Sequence, residues 1–559
     1  MTDIEQTTTI KIILPDQTSV TKEAGRSLLE ISEEVAEHYA SPIVAAIVND
    51  KMKDLTHLPQ PSSVVKFLDL GTTEGARIYQ RSLTFLLIYA TRLLFPDAQI
   101  SVEHSLGKGL YCEINKTPAL TTEDVAALQH KMRELVLADL PIEKKKIPLQ
   151  QAIDCFKQAG FDDKVRLYKN WPTEALTVYS LGALTDSLHG YMVTRTGILQ
   201  WFAVHFRAPG LVLRFPNAAD PFTIPPYIEQ HKLFGIFRET EEWSEILGFH
   251  TVGILNERIE AGQGPEIMRI NEALHEKKIA QIADSIAARK DELRIVLIAG
   301  PSSSGKTTFT QRLRIQLLVN GIRPFPISLD DYFVDREHTP LDENNQPDFE
   351  HLEAIDLELF NNHLLRLIDG EKIEIPRYNF HTGKREYHGH TIELQENQLL
   401  LIEGIHGLNE RLTEAISRRH KYKIYISALT ALNVDNHTRI HTTDTRLLRR
   451  IIRDHQFRSY DALETIRRWP SVRRGEERNL FHLQEEADIM FNSSLVYELA
   501  ILKQFATPLL QEISHTEPEY IDAKRLLLFL SCFASLELQG IPNNSILREF
   551  IGGSCFHEI

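Results

Sequence analysis

The chain has 559 residues, of which 42% are hydrophobic and 25% charged, and its formal net charge is -15. That length exceeds what one hydrophobic core usually organises, so we expect two to four domains. The acidic balance excludes a general DNA-binding protein, because displacing phosphate counterions requires a surplus of Lys and Arg.

Cysteine usage and apolar runs indicate the compartment. The four cysteines lie far apart without a C-x-x-C pair, which indicates neither a disulfide framework nor a cysteine zinc site. The start MTDIEQTTTI is acidic where a secretory signal is basic. The most apolar runs, LTFLLIYA and LLLFLSCFASL, are shorter than a membrane span. We therefore expect a cytoplasmic protein without a membrane partner.

The first predicted domain, residues 1–71, alternates short strands and turns around one helix. TIKIILPDQTSV alternates about a Pro-Asp turn, SLLEISEEVAEHY has helical spacing, and IVAAIVNDKMKDL turns at Asn49 and Asp50 into a second hairpin. This order predicts a small β-grasp-like module.

The second predicted domain, residues 72–215, is of mixed α+β type. A long helix, IYQRSLTFLLIYATRLLF, precedes the strand pattern ISVEHSLGKGLYCEIN and a helix opened by TTED. Residues 216–290 read as a connector, with a Pro-rich turn followed by helical sequence. From residue 291 to 559, strands and helices alternate, which predicts an α/β domain with a parallel sheet.

The motif G-x-x-x-x-G-K-[ST] lies at the start of this α/β domain, after the strand RIVLIAG and before the helical TTFTQRLRIQLL. Such a loop binds phosphate through backbone N–H groups and the helix N-terminus. Lys306 would reach the outer phosphates, and Thr307 could ligate Mg²⁺. The alternative is a plain Gly-Ser turn. We assign nucleotide binding to Gly300, Ser302, Ser303, Ser304, Gly305, Lys306, Thr307 and Thr308.

Carboxylates follow two of the later strands. Glu403 ends QLLLIEG, where a Walker-B acid would meet Mg²⁺, and Asp330 and Asp331 follow RPFPISL. Because the carboxyl ends of parallel strands line the ligand crevice, Asp330 could accept a proton from an attacking hydroxyl. The alternatives are a solvent-facing Glu403 and helix capping by the aspartates. No N-K-x-D loop typical of GTPases is found.

Four arginines recur at helical spacing in DTRLLRRIIRD: Arg446, Arg449, Arg450 and Arg453. One helix face would then carry four guanidinium groups. Such a face is suited to a polyphosphate, and the alternative is a solvated face. The basic segment IRRWPSVRRGEER that follows could form a lid.

Taken in order, AGPSSSGKTT, ISLDDYF, DFEHLEAIDLELF, IEIPRYNF, LLLIEGIHGL and DTRLLRRIIRD resemble the uridine kinase and phosphoribulokinase family over about residues 290 to 500. The resemblance implies ATP, Mg²⁺ and a small hydroxyl acceptor. It implies Asp330 as the catalytic base with Lys306 as the other catalytic residue. Glu350 and Tyr378 correspond to acceptor-binding residues, to which we add Arg385. Arg446 and Arg449 correspond to phosphate-clamping arginines, and Thr307 and Glu403 to the metal-binding pair.

Two departures leave the acceptor open. The family's uridine and cytidine kinases have Asp where Glu350 stands, and their histidine near RYNFHTGKRE aligns closer to Gly383 than to His381. We therefore expect phosphoryl transfer to a hydroxyl of a nucleoside or another ribose-like acceptor. Alternatives are ribulose 5-phosphate and a pantothenate-type alcohol.

The front half resembles other modules. TIKIILPDQTSV through SVVKFLDL resembles the TGS module, and residues 72–215 resemble the second additional domain of threonyl-tRNA synthetases. In those enzymes His and Cys ligands hold an editing metal, whereas this chain has Arg81, Phe85, Leu188 and Met192 there. We expect no editing chemistry. These domains could bind a regulatory ligand or RNA, and an RNA-associated regulator with a nucleotide switch is the rival hypothesis. A homo-oligomer stays open.

Overall fold

The computed structural model describes residues 9–169, 171–342, 345, 347–379, 382–395, 398–430 and 432–556, and the statements below concern these residues.

The first module is a five-stranded sheet with one helix. Its elements are β1 (Thr9–Ile13), β2 (Ser19–Glu23), α1 (Leu28–Val35), β3 (Ile43–Val48), β4 (Lys51–Lys53) and β5 (Val64–Asp69). The strand order is β2-β1-β5-β3-β4, with β1 and β5 parallel. The predicted turn between β3 and β4 is confirmed, because Asn49 and Asp50 both have positive φ, 46° and 62°.

The second module packs helices on two antiparallel sheets, β11-β12-β7-β6 and β10-β9-β8. Its elements are α2 (Thr73–Leu94), β6 (Gln99–Leu106), β7 (Gly109–Asn115), α3 (Thr122–Leu137), β8 (Glu143–Pro148), α4 (Leu149–Ala159), α5 (Asp162–Tyr168), β9 (Ala175–Leu181), β10 (Leu184–Asp186), β11 (Ala203–Arg207) and β12 (Gly210–Arg214). The predicted start of α3 is confirmed: Thr121 caps it and Asp124 completes a capping box. The limit at residue 71, between β5 and α2, stays a prediction.

Three helices connect the two halves of the chain: α6 (His231–Leu247), α7 (Val252–Glu260) and α8 (Gly264–Ala287). Buried side chains of α8, including Ile279 and Ile282, pack in one cluster with Leu313 of the α/β half and the central strands of its sheet. The last helix of the connector therefore packs on the following domain.

The α/β half is built on one parallel sheet of five strands in the order β14-β19-β13-β20-β23. Its elements are β13 (Ile295–Ala299), α9 (Lys306–Val319), β14 (Arg323–Ser328), α10 (Leu357–Ile368), β15 (Ile373–Glu374), β16 (Arg377–Asn379), β17 (Lys384–Glu386), β18 (Thr391–Ile392), β19 (Gln398–Glu403), β20 (Lys421–Ser427), β21 (Asn433–Asp435), β22 (Thr438–Arg439), α11 (Thr442–Phe457), α12 (Ala462–Asn479), β23 (Ile489–Asn492), α13 (Glu498–Gln511), α14 (Tyr520–Ser531) and α15 (Arg548–Ile551). The predicted α/β fold is confirmed. Strand β23 and the hairpin β21–β22 were not predicted.

The two halves share a hydrophobic core and a buried charge network. Phe156 and Leu167 of the front half pack in one cluster with Leu447 and Leu526 of the back half. Lys164 Nζ lies 2.9 Å from Asp186 Oδ1 and 3.0 Å from Asp435 Oδ1, and all three side chains are fully buried. Such a network is strongly disrupted when one partner is removed. The hairpin β21–β22, which carries Asp435, is therefore held against the front half.

Among the described residues, no helix combines the length and apolar character needed to cross a bilayer. The apolar run LLLFLSCFASL begins in α14, where Leu526 and Leu530 are buried. This helix contacts α13.

Candidate active site

The phosphate loop connects the central strand β13 to α9. A Cβ at Gly300 would lie 2.2 Å from the backbone oxygen of Ile426 on β20, so only glycine fits there. Ser303 and Gly305 have positive φ, 58° and 84°, which turns the chain back on itself before α9. Consecutive turns of this kind point backbone N–H groups into one concavity, which favours an anion.

Polar atoms in this loop fit a phosphate. Lys306 Nζ donates only to loop carbonyls, those of Gly300 at 2.9 Å and Pro301 at 3.2 Å, among the described residues. The buried hydroxyls of Ser303 and Ser304 have no hydrogen-bond partner there. Buried donors without partners are costly, and phosphate oxygens would satisfy them.

The two aspartates after β14 have different environments. Asp331 is partly buried, and its Oδ1 accepts the backbone N–H of Tyr378 at 3.3 Å. Burial raises the pKa of Asp331 to about 6. Asp330 is exposed, and its negative charge contributes to raising the pKa of Glu403 and of Glu350. Asp330 is therefore the member of the pair that is available in the cleft.

The predicted metal-binding pair is assembled at the end of β19. Thr307 Oγ1 donates to Glu403 Oε1 at 3.4 Å. Burial raises the pKa of Glu403 to about 7, while the Lys306 ammonium lowers it in part. A hydroxyl and a carboxylate side by side are oxygen ligands of the kind that Mg²⁺ prefers, so the residues fit this ion.

Glu350 lies in a loop that packs against helix α12. A Cβ at Gly475 of α12 would come within 2.3 Å of the Glu350 Cβ, and Asn479 Nδ2 donates to the Glu350 carbonyl at 2.6 Å. The predicted lid segment is thus a helix that packs on the loop carrying Glu350. Close packing here requires glycine at position 475.

Three arginines of α11 donate hydrogen bonds to the phosphate loop. Arg446 Nε donates to Ser302 O at 2.9 Å, Arg449 Nη1 to Ser303 O at 3.3 Å, and Arg450 Nη1 to Ser302 Oγ at 2.7 Å. Arg446 and Arg449 are only 1% and 0% exposed. The alternative of a solvated arginine face is therefore wrong for these two residues. Their role as phosphate clamps stays a prediction.

Three carboxylates that sequence reasoning missed hold these groups. Glu476 of α12 pairs with Arg446 and accepts the Ser302 N–H at 2.8 Å, and Glu498 pairs with Arg449 at 2.5 Å. Glu549 of α15 accepts the N–H and hydroxyl of Thr308 at 3.1 and 2.8 Å. Of the three, only Glu476 lies in a segment that the sequence analysis singled out, the basic segment IRRWPSVRRGEER.

Tyr378 and Arg385 lie on the hairpin β16–β17, beside the cleft. Tyr378 is 4% exposed and packs edge-on against Phe333, with ring centroids 5.5 Å apart. Arg385 Nη1 donates to Asp356 Oδ2 at 2.8 Å, at the start of α10. No hydrogen bond of the described residues joins either side chain to the phosphate loop. Their role in acceptor binding stays a prediction.

Comparison with known proteins identifies the region that holds this cleft. Residues 295–496 match the Phosphoribulokinase / Uridine kinase family. This kinase-family region runs from β13 past β23 and contains the phosphate loop, Asp330, Glu350, Glu403 and α11. The predicted resemblance of the back half to this family is confirmed.

Two solved structures are similar to part of this chain. A putative fructose transport system kinase from Silicibacter sp. TM1040 is 16% identical, with a TM-score of 0.28, over 38% of this chain and 98% of that chain. A possible uridine kinase from Bacillus stearothermophilus is 20% identical, with a TM-score of 0.27, over 39% of this chain and 98% of that chain.

The front half is similar to threonine–tRNA ligases, as predicted. The ligase of Syntrophomonas wolfei subsp. wolfei is 27% identical over 192 residues, which is 34% of this chain and 30% of the ligase. That of Polynucleobacter necessarius subsp. necessarius is 29% identical over 192 residues, with the same shares. The chain thus spans about 30% of the length of these curated relatives.

The four positions compared with the synthetase editing ligands hold no cluster of ligating atoms. Phe85, Leu188 and Met192 are at most 4% exposed and belong to the hydrophobic core of the second module. The guanidinium of Arg81 donates to the Tyr191 carbonyl at 2.8 Å. Carbon side chains offer no metal ligand, and the thioether of Met192 is packed among them.

Proposed function

We propose that the protein is an ATP-dependent phosphotransferase that moves the γ-phosphate to a hydroxyl of a nucleoside or a related ribose-containing acceptor. One observation carries the proposal: the phosphate loop with Lys306 follows β13, Glu403 ends β19 and Asp330 follows β14, and these three parallel strands are neighbours in the sheet. Phosphate-binding and proton-accepting groups thus border one cleft. The match of this region to the kinase family supports the same conclusion.

Each residue has a defined task in this reaction. Lys306 and the loop N–H groups hold the outer phosphates and neutralise charge on the transferred group. Asp330 accepts the proton of the attacking hydroxyl, and Glu350 accepts hydrogen bonds from the acceptor's hydroxyls. Thr307 and Glu403 would hold Mg²⁺, which supplies positive charge to the phosphate oxygens. Because such transfer depends mainly on alignment and charge neutralisation, these residues suffice.

Binding of a triphosphate would displace carboxylates of the chain itself. The Ser302 and Thr308 N–H groups, which belong to the phosphate loop and the first turn of α9, donate to Glu476 and Glu549. A triphosphate would bring several negative charges beside these two carboxylates, so like charges would repel. ATP binding would therefore compete with the hydrogen bonds that Glu476 and Glu549 accept from the loop.

Replacing Glu476 with Gln is expected to tighten ATP binding about tenfold, because the variant lacks a negative charge that would repel the triphosphate. Loss of the buried partner of Arg446 should destabilise the ligand-free protein by about 3–5 kcal/mol. Calorimetric titration with ATP and thermal melts measure both effects. The neighbouring Glu477→Gln is the matched control, because Glu477 is exposed and pairs only with Arg473 among the described residues. Unchanged or weaker ATP binding by Glu476→Gln would contradict the competition.

Acceptor binding should depend on pH through Glu350. Burial, together with the charges of Glu476 and Asp330, raises the pKa of Glu350 to about 7, although Arg450 and Lys306 lower it in part. Below pH 7 the carboxyl is therefore mostly neutral and a poorer acceptor of hydrogen bonds. The acceptor KM should fall about tenfold from pH 6 to pH 8, following the ionised fraction. Glu350→Gln should make KM independent of pH, and a slope retained in that variant would assign the effect elsewhere.

An acceptor panel tests the proposed function. The native chain is incubated with ATP and, separately, with nucleosides, ribulose 5-phosphate and pantothenate, and ADP release is followed. We expect release that requires a nucleoside. Release with only one of the other two alcohols would move the assignment to that acceptor, and no release with any acceptor would count against phosphotransfer.

An RNA-associated regulator is the second candidate, favoured by the likeness of the front half to threonine–tRNA ligases. In that case the nucleotide site would act as a switch. A tRNA gel shift that weakens steeply with salt would support it, whereas no shift at low salt would argue against it.

A further inference from the structure

A cavity of about 290 Å³ lies between the two halves, away from the phosphate loop. One wall comes from α2 of the front half, the opposite wall from the segment β21 to α11, and a third from α14. Neither half alone would enclose it. A volume near 300 Å³ is at the lower end of those that hold small organic ligands.

The polar lining of this cavity is strongly basic. Four arginines line it, Arg77, Arg81, Arg439 and Arg525, against one carboxylate, Asp444. Arg525 pairs with Asp444 at 2.6 Å, and Arg77 pairs with Glu74. Arg81 and Arg439 have no carboxylate within ion-pair distance among the described residues. Two guanidinium groups of the cavity therefore lack a direct ion-pair partner, although Asp444 acts on Arg439 and Glu74 on Arg81 at longer range.

The state of Arg439 points to a missing partner. Its Nε is buried and has no hydrogen-bond partner among the described residues, and its Nη2 contacts His441 Nδ1 at 2.9 Å. Burial lowers the pKa of Arg439 to about 10, and burial together with neighbouring arginines lowers the pKa of Arg81. Burying a cation that has no ion-pair partner is costly, so a bound anion here would stabilise the folded protein.

The same cavity lies at the N-terminus of α11. Thr443 and Asp444, in the first turn of this 16-residue helix, belong to its lining. The first turn of a helix exposes backbone N–H groups and a partial positive charge, which favours phosphate. The lining also includes apolar side chains, among them Leu110, Leu188 and Phe529. The arginines and the helix N-terminus therefore suit a phosphate group, and the apolar side chains suit the carbon skeleton of a ligand.

We propose that this cavity binds a small phosphorylated organic molecule whose phosphate is held by Arg81, Arg439 and the N-terminus of α11. The ligand is distinct from the ATP and the acceptor of the kinase-family cleft. A macromolecular RNA is less suited, because the walls from the back half close the cavity to the size of one small molecule.

The ligand would contact the element that supports the phosphate loop. Arg446 lies four residues beyond Thr442, the first residue of α11, and donates to Ser302 in the loop. The cavity also adjoins the hairpin β21–β22, which carries Arg439 and is tied to the front half through Asp435 and Lys164. Occupancy would therefore stabilise α11 in its present position. By linkage, any change that the ligand makes in ATP affinity is matched by an equal change that ATP makes in ligand affinity.

The test uses the full chain with Lys306→Ala, so that binding at the phosphate loop is weakened and the cavity is left intact. Calorimetry is run with inorganic phosphate, nucleoside monophosphates and sugar phosphates, and with each unphosphorylated parent compound. At least one phosphomonoester should bind with a stoichiometry of one, and its parent should not. Arg81→Gln and Arg439→Gln should each weaken binding at least about tenfold, as expected for a lost charge-assisted hydrogen bond.

Two controls separate binding in the cavity from binding elsewhere on the protein and from a loss of folding. Arg269→Gln, at an exposed position of α8, should bind as the unsubstituted chain does. The two cavity variants should unfold in a single cooperative melt, as the unsubstituted chain does, which shows that they are folded; Arg439→Lys replaces Arg439→Gln if the latter does not fold. The proposal would be overturned if no phosphomonoester bound, or if binding survived in both cavity variants. It would also be overturned if Lys306→Ala alone abolished binding, or if an RNA oligonucleotide bound and no mononucleotide did.

Discussion

Replacing Asp330 with Asn is expected to lower kcat for acceptor phosphorylation by about 10²–10⁴, the usual contribution of a general base. The amide cannot accept the proton of the attacking hydroxyl, whereas its size and position remain those of the carboxylate. Because Asp330 is exposed and acts on the cleft only through its charge, the fold should be unaffected. ATP affinity should change by no more than about twofold. Steady-state kinetics with the acceptor found in the panel, together with ATP titration, measure both.

Asp331→Asn is the matched control for this variant, since it changes the neighbouring carboxylate of the same turn. Asp331 accepts the Tyr378 N–H, so its loss should lower stability and leave the chemical step largely intact. If Asp331→Asn lost the larger part of kcat while Asp330→Asn kept it, the assignment of the base would be wrong. Equal activity of Asp330→Asn and the native chain would remove the base from the mechanism altogether.

Replacing Lys306 with Ala is expected to lower kcat/KM for ATP by at least about 10²–10³, as removal of one charged group from a transition-state oxygen usually does. Among the described residues the ammonium donates only to the carbonyls of Gly300 and Pro301, so its removal should cost little stability. Initial rates at varied ATP and a thermal melt measure the two quantities. Lys277→Ala, at an exposed position of α8, serves as the control. A variant with near-native kcat/KM would show that the loop does not hold the transferred phosphate.

Local pattern was sufficient to predict the elements that carry the cleft. The strand before Gly300, the strand that ends at Glu403 and the strand before Asp330 are apolar runs with short loops, so their ends could be read directly. A parallel sheet then brings those ends to one edge without further information. The Asn49–Asp50 hairpin was predictable for the same reason, since its turn requires residues that tolerate positive φ.

Contacts between distant segments could not be predicted in this way. Glu476, Glu498 and Glu549 approach the phosphate loop from helices more than 170 residues further along the chain, and no spacing rule links them to it. The repeat of arginines in α11 predicted one common face but not its burial, because burial depends on carboxylates supplied by other helices. The interdomain cavity likewise depends on the hairpin β21–β22, a short pair of strands with no distinct sequence pattern.

The front half has a structural connection to the kinase-family cleft. Lys164 and Asp186 hold the hairpin that precedes α11, and α11 holds the phosphate loop through Arg446. This route is a chain of contacts, and its energetic coupling is what the binding experiments on the cavity measure. Well-packed apolar side chains at this interface would give the protein similar stability, so stability alone does not account for the buried charges.

The fate of the γ-phosphate decides whether the protein is a phosphotransferase. The native chain is incubated with γ-labelled ATP and the acceptor panel, and the label is located after a single turnover. We expect label on a hydroxyl of the acceptor in the native chain and in Asp331→Asn, and little or none in Lys306→Ala and Asp330→Asn. Label recovered as inorganic phosphate whatever acceptor is present, or on the acceptor equally in all four proteins, would contradict phosphotransfer by this cleft.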